Sequence, residues 1–382
     1  MAKGNGIVNS HPINGGSRNQ EPLKLSGALG QIKSKMVTPI LGTEFPDAHV
    51  AEWLRAPNSD DLIRDLAITG MARPEDAADL SPYGMILTCK WIASRRGVVF
   101  FRGQIDLTDE LQKELIQRMG ELSGKPADSH LHIHPLVEGN ADVDHKVNII
   151  TSDKAQGAAE DIFKIQADRP MGTRGSWHAD ISYEPHPSDY SSLKVVKMPA
   201  TGGDTMWASS YEILERISPA YRKFLESLTV TMAQTRYESA CKAKNIKLYT
   251  DARGSPANVG TGLGAVHPMV RTNPVTGWKG VFGIGGDFKQ VNELAPDESR
   301  RMQDWLLQLL VENHDLQLRH QWKNPYDIAI WDNRSVFHSA ILDHGGMGPR
   351  TGHRVVGVGE RAYFDPNSKL RSEALAEERA NA

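Results

Sequence analysis

The segment at residues 177–180, Trp-His-Ala-Asp, contains the only His-x-Asp motif in the chain. On an extended strand, residues two apart project from the same face, so the side chains of His178 and Asp180 could reach one metal ion. His338 follows an apolar strand pattern at residues 328–331 and could supply a third ligand from a distant strand. Two histidines and one carboxylate on one face of a metal are the ligands of non-haem Fe(II) oxygenases, and they leave coordination positions open for other molecules.

Each of these features alone has a simpler explanation. A single His-x-Asp motif is expected about once by chance in a chain of this composition, and it would then be a pair of surface residues. An isolated histidine such as His338 is more often a core residue that is hydrogen-bonded to the backbone. The metal-site interpretation therefore depends on the features that accompany the motif.

Two arginines follow the third histidine. Arg350 and Arg354 are four residues apart, so on an extended segment both guanidinium groups lie on one face and could point into the same cavity. Arginine binds carboxylates and sulfonates through a planar, bidentate fork that lysine cannot reproduce. The alternative is a pair of solvated surface charges.

The segment Thr-Gly-Gly-Asp-Thr at residues 201–205 lies between the motif and the two arginines. Its two glycines predict a tight turn, and Thr205 begins a strand that continues through Trp207. Considered by itself, this segment is a hairpin turn.

The elements that must position these side chains are helices early in the chain and short strands later. The first two helices are predicted from apolar residues at helical spacing that follow capping residues. The third is predicted to begin at a proline, which suits the first turn of a helix. Helices are predicted at 59–69, 108–122 and 296–313, and strands at 97–101, 193–196, 281–284, 328–331 and 354–358. This order predicts an α+β domain whose strands close into a sandwich or barrel.

The amino-acid composition limits the classes of protein to which the chain can belong. Of 382 residues, 39% are hydrophobic and 24% are charged, which is typical of a soluble globular protein. A net charge of −3 gives no case for nucleic acid or an anionic membrane as a partner, and no apolar run is long enough to span a bilayer. Cys89 and Cys241 are the only cysteines, so we expect no disulfide framework and a cytoplasmic location. A homo-oligomer is compatible with the sequence.

Taken together, the motif at 177–180, the turn at 201–205, and the run 331–338 followed by two arginines resemble the taurine/alkylsulfonate dioxygenase family, whose members are TauD/TfdA-like Fe(II)/2-oxoglutarate-dependent dioxygenases. The resemblance covers roughly residues 38–366. It implies a double-stranded β-helix (jelly-roll, cupin-like) core with flanking helices, Fe(II) as the metal, and 2-oxoglutarate and O2 as cosubstrates. A small anionic organic molecule is then the expected substrate.

The resemblance also implies a role for individual residues. The matched positions make His178, Asp180 and His338 the iron ligands. Arg350 matches the arginine that holds the distal carboxylate of 2-oxoglutarate, with help from the hydroxyl of Thr205. Arg354 matches the arginine that binds the sulfonate of the substrate, and His134 falls where the family has a histidine that contacts the substrate.

Several departures from the family pattern concern the substrate. The residue three before Trp177 is an amide in the taurine enzymes and is Arg174 here, and the aromatic residue three past His134 is here Val137. Because the amine of taurine would meet a cation, these changes favour sulfonates or carboxylates without an amine. Between His338 and Arg350 the chain has one extra residue, in a glycine-rich loop.

The domain boundaries follow from the same resemblance and from the composition of the two ends of the chain. Residues 1–37 are predicted to be a disordered tail, residues 38–366 the dioxygenase domain, and residues 367–382 a charged tail that forms a surface helix or frays. Residues 70–91 interrupt the continuity between the helix and the strand that are adjacent in the family. They are either a surface insertion or sequence that is absent from the mature protein, such as a translated intron.

The expected reaction is hydroxylation of an alkylsulfonate at the carbon next to sulfur, which releases sulfite and an aldehyde together with succinate and CO2. A carboxylate or a secondary metabolite is the alternative substrate of the same enzyme class. Two other classes remain open at this point: a zinc hydrolase that uses the same three ligands to activate water, and a non-catalytic binding protein on the same fold.

Overall fold

The computed structural model of the protein describes residues 21–68, 93–136, 144–152, 173–237, 241–242 and 247–381. The interruption predicted at residues 70–91, with Cys89, lies outside these ranges, as does Val137. None of the helices in the described ranges combines the length and the hydrophobicity that a membrane span requires.

The strands form one large sheet and three small ones. In chain order they are β1 (Lys35–Met36), β2 (Thr43–Phe45), β3 (Val98–Phe101), β4 (Asn148–Thr151), β5 (Ser188–Lys197), β6 (Thr205–Ser209), β7 (Thr229–Ala233), β8 (Gly264–Pro268), β9 (Val270–Thr272), β10 (Lys279–Val281), β11 (Phe288–Val291), β12 (Gln317–His320), β13 (Asp327–Asp332), β14 (Val336–Ala340) and β15 (Thr351–Val358). The large sheet has the order β1-β2-β3-β13-β5-β15-β4, and every described pairing in it except β2 with β3 is antiparallel.

A three-stranded antiparallel sheet, β12-β6-β14, supplies the second layer. Side chains from both layers share one apolar cluster, in which Val98, Phe100 and Trp331 of the large sheet meet Trp207 and Leu318 of the small one. The core of the site-bearing region therefore lies between these two sheets. The remaining strands form two separate small sheets, the three-stranded β11-β7-β8 and the two-stranded β10-β9.

The α-helices in the described ranges are α1 (Val50–Arg55), α2 (Ser59–Ile68), α3 (Ala93–Arg96), α4 (Asp109–Leu122), α5 (Ser210–Glu215), α6 (Pro219–Leu225), α7 (Pro296–Glu312) and α8 (Arg371–Ala380). Of these, α1, α2 and α4 cover the outer face of the large sheet. Val99 and Phe101 of β3 pack with residues of α1, α2 and α4, whereas their neighbours Val98 and Phe100 face the small sheet. Burial on both faces explains why this strand has an unbroken apolar sequence.

The predicted helices are confirmed within a residue or two at each end. The hydroxyl of Thr108 accepts a hydrogen bond from the backbone N–H of Leu111, which is the capping interaction that its position before α4 predicts. Of the predicted strands, 193–196, 328–331 and 354–358 lie within β5, β13 and β15. The strand predicted at 281–284 is displaced, because β10 ends at Val281.

Parts of both predicted tails belong to the folded domain. Leu29 is fully buried, and the buried carboxylate of Asp65 on α2 accepts hydrogen bonds from the backbone N–H groups of Ser26, Gly27 and Ala28. These bonds attach residues 26–28 to α2, so a tail that extends to residue 37 does not describe this segment. At the other end, residues 371–380 form a helix with Leu375 buried.

Candidate metal centre

Reciprocal backbone hydrogen bonds bring two of the predicted metal ligands together. The N–H of His178 donates to the carbonyl of His338 at 3.0 Å, and the N–H of His338 donates to the carbonyl of His178 at 2.8 Å. These bonds form an isolated antiparallel bridge between the segment before β5 and strand β14. The two imidazole rings consequently lie with their centroids 4.2 Å apart.

Asp180 completes the cluster by a different route from the one predicted. His178 forms the bridge, but the chain then turns at Asp180 instead of continuing as a strand, and the next residue, Ile181, has a positive φ of 48°. The Asp180 carboxylate oxygen Oδ1 lies 4.0 Å from His178 Nε2 and 3.8 Å from His338 Nε2. One potential ligand atom from each residue lies within 4.8 Å of the other two.

The donor atoms suit a divalent cation. His178 Nδ1 lies 2.8 Å from the carbonyl of Ser176; since a carbonyl only accepts, Nδ1 carries the proton and the lone pair is on Nε2, the atom that faces Asp180. Asp180 is 2% exposed, and among the described residues its Oδ2 has no hydrogen-bond partner. A buried, unsatisfied carboxylate oxygen is costly, and coordination to a metal would remove that cost.

Charges around the cluster keep it in the protonation state that a metal requires. Burial would raise the pKa of Asp180, but the positive charge of Arg354 and the neighbouring histidines hold that pKa well below its usual range. Burial, together with repulsion from His178, lowers the pKa of His338 to about 3. At neutral pH the site therefore presents a carboxylate and a neutral imidazole.

Arg354 lies directly against the carboxylate. Its Nη1 donates to Asp180 Oδ1 at 2.7 Å, and its side chain is 16% exposed. Its buried Nε has no hydrogen-bond partner among the described residues. Arg354 is thus fixed beside the predicted metal while part of its guanidinium group is free to bind another acceptor.

Arg350 and Thr205 form a second cluster. Arg350 is buried, and it donates from Nε to the carbonyl of Gly203 at 2.9 Å and from Nη2 to Thr205 Oγ1 at 3.4 Å. Burial lowers its pKa to about 10, so the side chain stays charged at neutral pH. No carboxylate in the described ranges forms an ion pair with it, which is unusual for a buried cation and indicates an anion-binding position.

The turn at residues 201–205 is what positions Arg350. Gly203 has φ of +72°, and a Cβ added there would lie 2.8 Å from Cδ of Arg350. Trp322 Nε1 also donates to Thr205 Oγ1, at 3.2 Å. Because the threonine oxygen accepts from both Trp322 and Arg350, its own proton is available to a further acceptor.

The two remaining predicted residues lie in different environments. His134 is close enough to Arg354 and Asp180 for both charges to influence its pKa, which burial and the charge of Arg354 lower to about 3. Arg174 is exposed, and its guanidinium group contacts Asp304 on α7. A substrate-binding role for Arg174 stays a prediction, since its described contacts are with Asp304.

Asn333 is a site residue whose role the sequence did not reveal. Its Oδ1 accepts from the backbone N–H of Asp180 at 2.9 Å and from Trp331 Nε1 at 3.1 Å. Its Nδ2 donates to the hydroxyls of Ser188 and Ser191, both at 2.9 Å. The only sequence signal was its position in the run before His338, since the spatial link to Asp180 connects residues far apart in the chain.

Comparison with known proteins agrees with this geometry. The family model described as "Taurine catabolism dioxygenase TauD, TfdA family" matches residues 84–356. An alpha-ketoglutarate-dependent dioxygenase of Penicillium shearii is 53% identical over 391 aligned positions, which cover 94% of this chain and 98% of that protein. An alpha-ketoglutarate-dependent sulfonate dioxygenase of Saccharomyces cerevisiae is 29% identical over an alignment that covers 88% of this chain and 69% of that protein.

A solved structure shares the fold. The crystal structure of a taurine dioxygenase from Burkholderia xenovorans superimposes with a TM-score of 0.56 at 21% identity, covering 88% of this chain and 92% of that chain.

The hydrogen bond from Asp180 to Asn333 predicts an effect on metal affinity. We expect Asn333→Ala to weaken binding of Co(II), measured by calorimetry or from the visible absorption of the bound ion, by about 10- to 100-fold, as is typical when a partner that orients a ligand is lost. Asn324→Ala, at an exposed asparagine outside this network, is the matched control. Unchanged Co(II) affinity in Asn333→Ala would show that this hydrogen bond does not position Asp180.

The close approach of Gly203 to Arg350 predicts an effect on anion binding. We expect Gly203→Ala to displace the guanidinium group and to weaken binding of 2-oxoglutarate to the Mn(II)-loaded protein by at least about tenfold, because hydrogen bonds to charged groups contribute about 1.5–3 kcal/mol. Gly260→Ala introduces a similar backbone strain, at φ of +80°, where the new Cβ meets no atom within 4 Å. Equal losses of affinity in the two variants would indicate general strain instead of a displaced Arg350.

Proposed function

Because the chain belongs to the TauD, TfdA family of dioxygenases, we propose that its metal is Fe(II) and that His178, Asp180 and His338 bind it. Dependence on 2-oxoglutarate, the compound also called alpha-ketoglutarate, comes with the similarity to dioxygenases over nearly the whole chain. The observation that supports the ligand assignment is the cluster of two histidines and one buried carboxylate that has an unsatisfied oxygen. Such a set leaves coordination positions open, as Fe(II) oxygenases require.

The second cluster supports a binding site for the cosubstrate. We propose that Arg350 and Thr205 hold the distal carboxylate of 2-oxoglutarate, with the guanidinium group and the free hydroxyl proton of Thr205 as donors. On β6, the partner of His338 is Trp207, two residues beyond Thr205, which corresponds to about 7 Å along a strand. That separation suits a five-carbon dicarboxylate whose other end reaches the metal.

The two layers of strands are also consistent with the family fold. We propose that the large sheet and the sheet β12-β6-β14 together form the double-stranded β-helix. The bridge between His178 and His338 joins them at the site, because His338 lies on the small sheet and His178 precedes β5 of the large one.

In this mechanism the protein binds and orients the cosubstrate and the substrate, and it excludes water from the site. Fe(II), when bound, supplies the oxidation in which 2-oxoglutarate and O2 yield succinate and CO2 and one oxygen atom enters the substrate. Arg350 and Thr205 fix the far end of the cosubstrate, and Asn333 fixes the backbone of Asp180. Arg354, next to Asp180, places the anionic group of the substrate beside the metal, so that a neighbouring carbon is the one exposed to oxidation.

The substrate that we propose is a small organic anion, with an alkylsulfonate as the first candidate. Arg354 and Asp180 cancel each other's charge, so a divalent metal makes the site positive and favours anions. A sulfonate oxidised at the adjacent carbon would give sulfite and an aldehyde. A carboxylate is the second candidate, because the same arginine fork binds it equally well.

Neither alternative from another class explains both clusters. A zinc hydrolase would need the three metal ligands but would have no use for a buried, unpaired Arg350 beside a threonine hydroxyl. A non-catalytic binding protein would not need a buried carboxylate beside two imidazoles, and it is at odds with the similarity to enzymes over nearly the full chain.

Loss of the carboxylate tests the metal assignment. We expect Asp180→Ala to abolish stoichiometric Fe(II) or Co(II) binding under anaerobic conditions and, with it, formation of succinate from 2-oxoglutarate. Asp106→Ala, at an exposed aspartate, should leave both unchanged. Full metal content and succinate formation in Asp180→Ala would contradict the assignment.

Loss of the arginine fork tests the substrate class. With Fe(II) and 2-oxoglutarate, the unaltered protein should release sulfite from an alkylsulfonate in step with succinate and should prefer it to taurine. Arg354→Gln should need at least about tenfold more sulfonate for half-maximal rate, since a charge-assisted contact is lost. Arg300→Gln, an exposed arginine on α7, is the control.

Succinate formation with carboxylates and no sulfite from any sulfonate would select the second candidate. An unchanged half-saturating concentration in Arg354→Gln for every anion would contradict the role of Arg354.

A further inference from the structure

A chain of polar aromatic side chains lies within reach of the charge of Arg354. His134 Nε2 lies 3.2 Å from the hydroxyl of Tyr237, and the rings of Tyr237 and Tyr183 meet edge to face with centroids 5.9 Å apart. The charge of Arg354 affects the pKa of all three side chains. The three residues therefore lie near the guanidinium group that would hold a substrate.

The hydrogen bonds fix the position of the proton on His134. The backbone N–H of Leu136 donates to His134 Nδ1 at 3.1 Å, so Nδ1 is the acceptor nitrogen. Because the pKa of His134 is lowered to about 3, the ring is neutral and its single proton is on Nε2. Nε2 consequently donates to the oxygen of Tyr237, and Tyr237 does not donate to His134.

The Tyr237 hydroxyl is the acceptor in this hydrogen bond. Burial raises the pKa of Tyr237 to about 12, so the phenol is neutral and keeps its proton. Its oxygen accepts from His134 Nε2. Within the described part of the chain, the hydroxyl forms no further hydrogen bond, so its own proton is without an acceptor.

We infer that the Tyr237 hydroxyl donates a hydrogen bond to an oxygen of the substrate, as a second contact beside the anionic group held by Arg354. This inference rests on the proposed function. It makes Tyr237 a specificity-determining residue, supplied by a segment after β7.

The neighbours of Tyr237 define the rest of the substrate. Tyr237 packs against an apolar cluster that contains Ile181, Leu263 and Val356, of which Ile181 follows the metal ligand Asp180 directly. A half-buried phenol that finds no acceptor once a ligand covers it disfavours a purely hydrocarbon ligand at this point. The arrangement therefore suits an organic anion whose largely apolar body carries a keto, ester or hydroxyl oxygen, in place of a plain alkyl chain.

The experiment compares matched ligands on matched variants. The protein is loaded with Mn(II) and N-oxalylglycine, an unreactive analogue of 2-oxoglutarate. It is then titrated calorimetrically with medium-chain carboxylates and sulfonates, each with and without a keto oxygen along the chain. We expect the unaltered protein to bind the keto members about three- to tenfold more tightly than their parents, the range of one neutral hydrogen bond. Tyr237→Phe, which removes only the hydroxyl, should abolish this difference.

Tyr221→Phe provides the control, because Tyr221 is 38% exposed and packs against Phe224 and Trp305 on the α6 and α7 surface. It should keep the preference for keto members. Affinity for N-oxalylglycine reports whether Tyr237→Phe is folded around an intact metal site.

The outcomes separate this inference from the function on which it rests. If N-oxalylglycine binds in a metal-dependent manner but the unaltered protein shows no preference for keto anions, the role of Tyr237 is overturned and the proposed function stands. A preference that persists in Tyr237→Phe overturns it as well. If N-oxalylglycine does not bind to the metal-loaded, unaltered protein, both proposals fail together.

Discussion

The pair of backbone hydrogen bonds between His178 and His338 is the constraint on which the site depends. It joins two segments far apart in the chain and places two imidazoles side by side. Because backbone bonds fix both Cα positions, the side chains need little reorganisation to bind an ion. The cost of ordering the ligands is therefore largely met by the same interactions that close the two sheets on each other.

Charge balance is the second organising feature. Three groups at the centre are each held in one protonation state: Arg354 keeps Asp180 ionised, and burial keeps His338 and His134 neutral. Arg350 differs, since it is buried and charged without an ion-pair partner in the described ranges. A buried cation held by a carbonyl and a hydroxyl is costly for the protein alone, which is why its presence points to an anionic ligand.

The sequence predicted the helices and most strands because these depend on local periodicity, whereas the three clustered ligands were implied by its resemblance to a known family. Through the same resemblance the sequence also associated Arg350 with Thr205, and a hydrogen bond joins the two side chains. The sequence did not reveal that Asp180 lies in a turn, that Arg354 contacts that carboxylate, or that Asn333 binds its backbone. Each of these depends on contacts between residues far apart in the chain, which spacing alone cannot encode. The exposed position of Arg174 likewise follows from the packing of α7, a partner that local sequence does not identify.

The short connection between β13 and β14 has a consequence for how relatives of this chain can diverge. Only residues 333–335 separate the two strands. This connection contains Asn333, and its length determines to which face of the sheet the His338 side chain points. Side chains alternate between faces along a strand, so a single insertion or deletion here would turn His338 away from the other ligands. The length of the glycine-rich loop before Arg350 does not determine the orientation of a metal ligand, and this loop already has one residue more than the family pattern. Length variation among homologues should accordingly accumulate in that loop and be excluded from the connection.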